Sequence, residues 1–463
     1  MVSFRGEIYD IVLLVSVAAI VLSLAYLAML LVLSRVKKPK WRPRNYDSWT
    51  GTTPEIVFVM PCLNEATVVG ASLQRLLAMD YPRLSIVVID DGSDDGTGDI
   101  VKQVADPRVH LFQRTLPNAR KGKGKALNDA FQFIYDGGIN PHIDPENTIL
   151  VVVDADGRMD RRSLDYVIPA FDDPMLAGVQ IGVRINNRVS NMLARMQDLE
   201  FVLYTEVFQR GRVKLNSVGL GGNGQFVRLS ALRLLGRDPW SDSLTEDLDL
   251  GIRLHLLGFR LDYCPEVAVH QQGLEDLGRW IRQRTRWFQG YLQGWNQVAN
   301  ILVRLWGTAR IDLFWTIASP ILLLCVTFFT ASFLVWLVAF GIGFARGTAH
   351  FGWQFLVIYL LAFGPTLVLS FLYRKNEPQL GIVKALLLGH AYVFYAQLWG
   401  IAGWKAVWNQ LRGRTGWAKT ERVAEVPEAE TPELEAERQP ALEPGPIPQP
   451  LPDARATHLH KEH

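Results

Sequence analysis

Two patterns of apolar and polar positions alternate along this chain, and they divide it. From Pro54 to about Pro265, short apolar runs of strand length are separated by segments with a helical period. Glu55–Cys62 predicts a strand, and Ala66–Met79 a helix with Leu73, Leu76 and Leu77 on one face. Leu84–Asp90 predicts a second strand, and the turn Asp90–Thr97 opens the next helix. Val109–Phe112 is a short third strand, Gly124–Tyr135 a helix, and Ile149–Val153, mostly β-branched, a buried strand. Strands alternating with helices predict an α/β domain built on a mostly parallel, doubly wound sheet with helices on both faces.

Outside that region the apolar runs lengthen. Ile11–Leu33, Leu313–Ala345 and Phe351–Tyr373 carry no Asp, Glu, Lys, Arg or His, and each reaches the roughly 20 residues that cross a bilayer. Ala385–Trp404 is a fourth, more polar candidate, with His390 and Gln397 inside it. Leu274–Trp306 mixes Trp, Arg and Gln with aliphatics and predicts amphipathic helices in the membrane interface. Glu425–His463 is rich in Pro and Glu and predicts a disordered tail, its His458, His460 and His463 read as a flexible end. The expected organisation is therefore a transmembrane helix with a basic flank over 1–46, an α/β domain over 47–273, interfacial helices over 274–312, a transmembrane region over 313–422 and a tail over 423–463.

Charge gives this arrangement a direction. Arg35, Lys37, Lys38, Lys40, Arg42 and Arg44 follow the first apolar run, whereas Arg5, Glu7 and Asp10 precede it. The positive-inside rule puts the α/β domain in the cytoplasm, at an inner membrane crossed several times. One span before the domain and three after it would put the C-terminal end outside, yet Lys405, Arg412, Arg414, Lys419 and Arg422 argue for the inside. Either Ala385–Trp404 is re-entrant or interfacial, or the Leu313–Ala345 region holds a different number of spans.

Composition narrows the function classes. A net charge of +2 indicates no nucleic-acid partner. Cys62, Cys264 and Cys325 are too far apart for a metal-ligand spacing or a disulfide framework, as expected in a reducing compartment.

The candidate chemistry is acidic. Asp154-Ala155-Asp156 follows a buried strand, and open α/β sheets bind ligands at the carboxyl ends of their strands. The pair suits a divalent metal carrying a diphosphate, or else a solvated turn capping the next helix. Asp90 and Asp91 end the second strand, where acidic groups either hydrogen-bond a nucleoside or form an Asx turn. No G-x-G-x-x-G stands at this turn and no P-loop motif occurs in the chain, which counts against a dinucleotide or P-loop site. Arg120, Lys121, Lys123 and Lys125 precede a helix as a phosphate cradle or a solvated basic loop.

Gly219–Gln225, containing Asn223 and Gly224, is a glycine-dense loop before an expected helix start, either flexible or a place for close ligand approach. Ser243 and Glu246 have capping-box spacing, with Asp247 in the first turn of a helix running to about Leu257. Asp247 is either ordinary helix-terminal chemistry or a general base. Gln283, Arg286 and Trp287 stand on a predicted interfacial helix, as a ligand clamp or as a snorkelling arginine beside an interfacial tryptophan.

The order D-D-x-S, D-x-D, glycine loop, T-E-D and Q-x-x-R-W, closed by Trp417–Arg422 and flanked by spans, resembles the membrane-embedded family 2 glycosyltransferases. That group includes cellulose, chitin, hyaluronan and poly-N-acetylglucosamine synthases and membrane-bound glucosyldiacylglycerol synthases. The resemblance implies a GT-A fold and inverting transfer from a UDP-sugar. It implies that Asp90 and Asp91, with Lys123 and Glu65, meet the uridine, that Asp154 supports the nucleotide, and that Asp156 holds Mg2+ or Mn2+. It implies Asp247 as catalytic base, Arg286 on the diphosphate, and Asn223, Gly224, Gln225, Glu246, Gln283 and Trp287 around the acceptor. The G-G-N-G-Q loop departs from the F-C-G-S form of cellulose synthases, so the acceptor is open. A growing polysaccharide made processively is the expected acceptor, with a membrane lipid as the alternative and surrounding membrane lipids as further partners. A transporter with an inactive α/β domain is the non-enzymatic alternative, but the clean spans lack the charged groups a transport path wants.

Overall fold

The computed structural model describes residues 2–36, 41–44, 53–350 and 352–414. The expected tail, its three histidines, the Trp417–Arg422 motif and Lys37, Lys38 and Lys40 lie outside the described residues.

Strands β1 (Glu55–Cys62), β2 (Leu84–Asp90), β3 (Val109–Gln113), β4 (Thr148–Val152), β5 (Arg158–Met159), β6 (Leu176–Ile185), β7 (Gln225–Arg228) and β8 (Arg260–Gln271) form one sheet in the order β3-β2-β1-β4-β7-β6-β8-β5. β1, β2, β3 and β4 are mutually parallel, as are β6 and β8. β7 runs antiparallel to both of its neighbours, and β5 antiparallel to β8. The glycine loop thus leads into a strand, and only then into a short helix, Leu229–Arg233. The expected helix start was displaced because the four residues of β7 complete the ladder between β4 and β6.

Both faces of the sheet are covered, which explains the near-continuous apolar strands. Ile56, Phe58, Met60, Ile86, Val88 and Val151 pack on one face, and Val57, Val59, Val87, Ile89, Leu150 and Val152 on the other. In-register pairing brings Cys62 opposite Asp90 and Val59 opposite Val152. The ends of β2 and β4, which carry the acidic motifs, therefore finish at the same edge of the sheet, one on each side of β1.

Four long helices accompany the sheet: Val2–Leu33 before it, and Gly307–Ala345, Trp353–Asn376 and Ile382–Leu411 after it. The last three contain segments long and apolar enough to cross a membrane. Pro320 lies within the continuous helix Gly307–Ala345 rather than breaking it. The expected amphipathic region forms a base helix, Leu277–Gln293, and a short helix, Val298–Arg304.

A buried polar joint fixes the first long helix to the second. Arg212 Nε lies 3.2 Å from Asp312, Tyr26 donates to Asp312 at 2.7 Å, and Arg212 donates to Thr316 at 2.8 Å. Such a pair adds little net stability but favours one register, because any other leaves a charge buried alone.

Candidate active site

The D-x-D segment leaves β4 and is pinned on every side. Lys123 Nζ donates to Asp154 Oδ1 at 2.6 Å, from the first residue of the helix Lys123–Tyr135. The Asp154 N–H donates to Asn223 Oδ1 at 3.1 Å, and Asn223 Nδ2 donates to Gln271 Oε1 at 2.8 Å. Asp156 Oδ2 accepts from the Gln272 N–H at 3.1 Å, and Ser72 Oγ donates to the Ala155 carbonyl at 2.6 Å. Two strands away, just past the end of β2, Asp91 accepts from the Arg114 guanidinium and from the Arg120 N–H.

Asp247 reaches the same place from the opposite direction. It stands in the first turn of the helix Glu246–Leu256, where its Oδ1 accepts from the Leu248 N–H at 2.8 Å. The expected capping box does not form: Thr245 precedes the helix, and the Ser243 hydroxyl turns instead toward Thr245 and Gln293. Gly222 makes room for Asp247. A Cβ at position 222 would sit 2.9 Å from Asp247 Oδ2, and the backbone there has φ +78°. Both facts demand glycine. The same point lies 3.5 Å from Lys123 Nζ, so one ammonium serves Asp154 and the T-E-D turn together.

The base helix closes the third side. Asp276 caps it, accepting from the Arg279 N–H at 2.7 Å. Arg286 Nη1 donates to the Leu244 carbonyl at 3.4 Å, which sets its guanidinium beside the T-E-D turn. Arg284, two residues earlier, is fully buried, 3.9 Å from the centroid of the Trp287 ring and 2.8 Å from Glu200. That packing fixes which face of the helix carries Gln283, Arg286 and Trp287.

These residues share one cavity of about 820 Å³. Glu65, Asp91, Lys123, Asp154 and Asp156 line its sheet side, and Asn223, Glu246, Asp247, Gln283, Arg286 and Trp287 the rest. Three expected residues lie behind the wall. Asp90 is turned inward, accepting from the Ser93 N–H and from Gln113 Nε2. Gly224 packs against Ile181 and Val269, and Gln225 is a buried residue of β7 whose Oε1 accepts from the Gly222 N–H. They shape the loop rather than reach into the cavity.

The structure adds residues that carried no motif. Gln180 lines the cavity from β6, accepting from the Gly221 N–H at 2.8 Å and donating to the Asn223 carbonyl at 2.9 Å. Tyr204 lines it from a π-helical turn, Tyr204–Gln209, a distortion that recurs at functional sites. The long helices add apolar lining, with Leu24 and Leu27 from the first and Leu323 and Val326 from the second.

The electrostatics follow from burial and from Lys123. Burial, then the charge of Asp247, pushes Glu246 up to about 7, with Lys123 and Arg286 opposing. Burial likewise raises Asp247, against Lys123. Burial alone would depress Lys123, but Asp154, Glu246 and Asp247 outweigh it and its pKa is raised. Asp91 is raised by burial despite Arg120 and Arg114.

Residues 54–290 match the family described as "Glycosyltransferase like family 2". A probable glycosyltransferase, YdaM, of Bacillus subtilis is 30% identical over 54% of this chain and 57% of its own. The β-monoglucosyldiacylglycerol synthase of Synechocystis is 31% identical over 55% of this chain and 52% of its own. The poly-β-1,6-N-acetyl-D-glucosamine synthase of Staphylococcus aureus is 29% identical over 53% and 56% respectively. The chain thus spans about half the length of the curated relatives it matches. Among solved structures, the mannosyltransferase PcManGT of Pyrobaculum calidifontis, in complex with GDP-Man and Mn2+, aligns with a TM-score of 0.52 and 21% identity, covering 84% of this chain and 99% of that one. That likeness carries the GT-A fold.

Glu246 yields a signed expectation. A carboxyl whose pKa rises on folding contributes stability that is full below its ordinary value of 4.5 and is lost as pH climbs through about 7. Glu246→Gln removes that loss. Its thermal midpoint should exceed that of the parent at pH 8, by on the order of 2 kcal/mol of stability, and the difference should shrink toward pH 5. Midpoints followed by tryptophan fluorescence across this range check it; a difference that is constant with pH overturns it.

Proposed function

We propose, from the premise that the chain belongs to glycosyltransferase family 2, that it transfers a sugar from a UDP-sugar to a membrane-associated acceptor with inversion at the anomeric carbon. The observation that carries this reading is the meeting of Asp91, Asp154, Asp156 and Asp247 in one cavity, with Lys123 bridging two of them.

Asp247 serves as the base. Burial raises its pKa, which makes the carboxylate a stronger base than it would be in water. It takes the proton of the acceptor hydroxyl, whose oxygen attacks the anomeric carbon opposite the diphosphate. The bond from that carbon to the diphosphate oxygen breaks, UDP departs with the electron pair, and the configuration inverts. Arg286 and Lys123 hold positive charge where the diphosphate gains negative charge. Asp91 and Glu65 hold the uridine end, with Asp90 shaping the turn behind them. Asn223, Glu246, Gln283 and Trp287 border the acceptor.

The donor set fits a divalent metal. No three His, Cys, Asp or Glu side chains cluster to cage an ion among the described residues. One or two carboxylates, with the remaining positions left to diphosphate and water, is the pattern Mg2+ favours. Asp156 would hold Mg2+ or Mn2+, and Asp154 the nucleotide beside it. When bound, the ion supplies further positive charge to the diphosphate.

The apolar lining of the cavity, Leu24, Leu27, Leu323 and Val326, supports a hydroxyl carried on a membrane lipid as the acceptor. A growing polysaccharide is the second reading, favoured by the rings of Tyr204, Trp287 and Trp399 along the same wall, which suit stacking on sugars. Arg35, Arg42 and Arg44 after the first long helix support a cytoplasmic catalytic layer at the inner membrane.

Incubation with labelled UDP-glucose, UDP-N-acetylglucosamine, UDP-galactose and UDP-glucuronate should give a short, solvent-extractable product from one of them. A product of high mass selects the polysaccharide reading instead, and no transfer from any donor overturns UDP-sugar use. Asp247→Asn should retain UDP binding by calorimetry while turnover falls by about 10²–10⁴-fold; unchanged turnover removes Asp247 as the base. Asp156→Ala should weaken Mn2+ binding in the presence of UDP and abolish turnover, whereas full activity of the parent in a chelator overturns the metal role.

A further inference from the structure

The helix Ile382–Leu411 is long and apolar enough to cross a bilayer, yet both of its ends stay on the catalytic layer. Just before it, Glu377 is held by Arg184 at 2.6 Å, Arg188 at 2.8 Å and Arg195 at 3.5 Å, all within β6 and the segment that follows. At its far end, Gln289 of the base helix donates to Gln410 in the last turn at 3.3 Å and to the Arg414 carbonyl just beyond it at 2.7 Å. Between these ends, Trp280 Nε1 donates to Tyr395 at 3.0 Å, and Ala406 packs on Phe288.

A 30-residue helix is about 45 Å long, and a crossing would carry one end some 30 Å from where it began. A helix anchored to one layer at its start, middle and end does not do that. The neighbouring helices behave differently. Gly307–Ala345 meets the layer through Thr308 and Asp312, and Trp353–Asn376 through Tyr373, while toward their other ends Phe340 stacks on Phe355 at 4.5 Å.

The face turned away from the layer is apolar. Val383, Leu387, Phe394, Ile401, Trp408 and Leu411 recur at steps of about one or two helical turns, and each is more than half exposed. Leu356, Leu360 and Val335 on the two neighbouring helices are exposed as well. Lys384, Lys405 and Arg412 are exposed near its ends, where cations reach lipid headgroups.

We propose that Ile382–Leu411 lies along the membrane interface beneath the catalytic layer, with this stripe in the acyl region of the leaflet that faces the layer. Three crossings then remain, from Val2–Leu33, Gly307–Ala345 and Trp353–Asn376. Arg412 and Arg414 fall on the same side as Arg35, Arg42 and Arg44, which removes the conflict in the charge distribution.

Depth measurement tests this independently of the chemistry. In a Cys325→Ala background, spin labels are placed through Leu387→Cys, Phe394→Cys, Ile401→Cys and Trp408→Cys in the full chain. The protein is reconstituted in vesicles of phosphatidylethanolamine and phosphatidylglycerol, and depth is read from oxygen against nickel-chelate accessibility. The four labels should share one shallow depth, about 5–10 Å below the headgroups. A crossing helix would spread Leu387 and Trp408 by up to about 31 Å, with Phe394 and Ile401 nearest the bilayer centre, and that profile overturns the proposal. Labels shielded from both reagents and broadened by a second copy overturn it as well. A cysteine appended to the C-terminus should react with an impermeant maleimide only from the face bearing the catalytic layer; reaction from the opposite face alone also overturns it.

Discussion

The site depends on one ammonium group among carboxylates. Asp154 leaves a strand end, and Glu246 and Asp247 open a helix from another part of the chain. Brought together without a cation, these carboxylates would repel one another in a partly desolvated cavity, where charges interact far more strongly than in water. Lys123 sits between them, 2.6 Å from Asp154 and close to Asp247 across Gly222. Its helix begins at that residue, so the lysine is placed by backbone geometry rather than by a flexible loop. The glycine at 222 is part of the same arrangement, since a side chain there would occupy the space through which the two charges meet.

The half of the fold that positions these groups was legible from the apolar pattern. β1 and β2 form over the residues expected, Glu55–Cys62 and Leu84–Asp90, because each is buried on both faces and bounded by polar turns. The other half gave weaker signals. β6 contains two glycines and Arg184, and β7 is four residues long. Neither has a period that marks a strand alone. They become strands because β4 presents an open edge that only an antiparallel β7 fills, and β7 in turn offers its edge to β6. That is a tertiary cause, invisible to a local reading.

The candidate site was legible wherever the chemistry resided in the residue itself. Carboxylates at strand ends and at a helix start mark themselves, and eleven of the fourteen expected residues share the cavity. The exceptions have geometric reasons. Asp90 and Asp91 are neighbours at one strand end, and successive side chains there point in opposite directions. One faces the cavity and the other braces the turn through Ser93 and Gln113. Sequence alone cannot assign which is which. Gln180 gave no signal at all, because its contribution is to hold two backbone groups of the glycine loop that come from forty residues away.

The base helix extends the same electrostatic logic. Arg284 is buried, yet its charge is met by Glu200 and by the faces of Trp280, Trp287 and Trp399. Glu200 also accepts from Tyr395 of the last long helix, so one buried cation joins the base helix, that helix and the catalytic layer. Where water is scarce an unmatched charge costs several kcal/mol, so each partner restricts where the others can stand. The consequence reaches the chemistry. Gln283, Arg286 and Trp287 lie on the helix that Arg284 locks, and a helix that could rotate by even one residue, about 100°, would turn them out of the cavity. An apolar surface alone would let the base helix slide against its neighbours; the buried ion pair and its aromatic cage select one register, and that register aims Gln283, Arg286 and Trp287 at the acidic cluster.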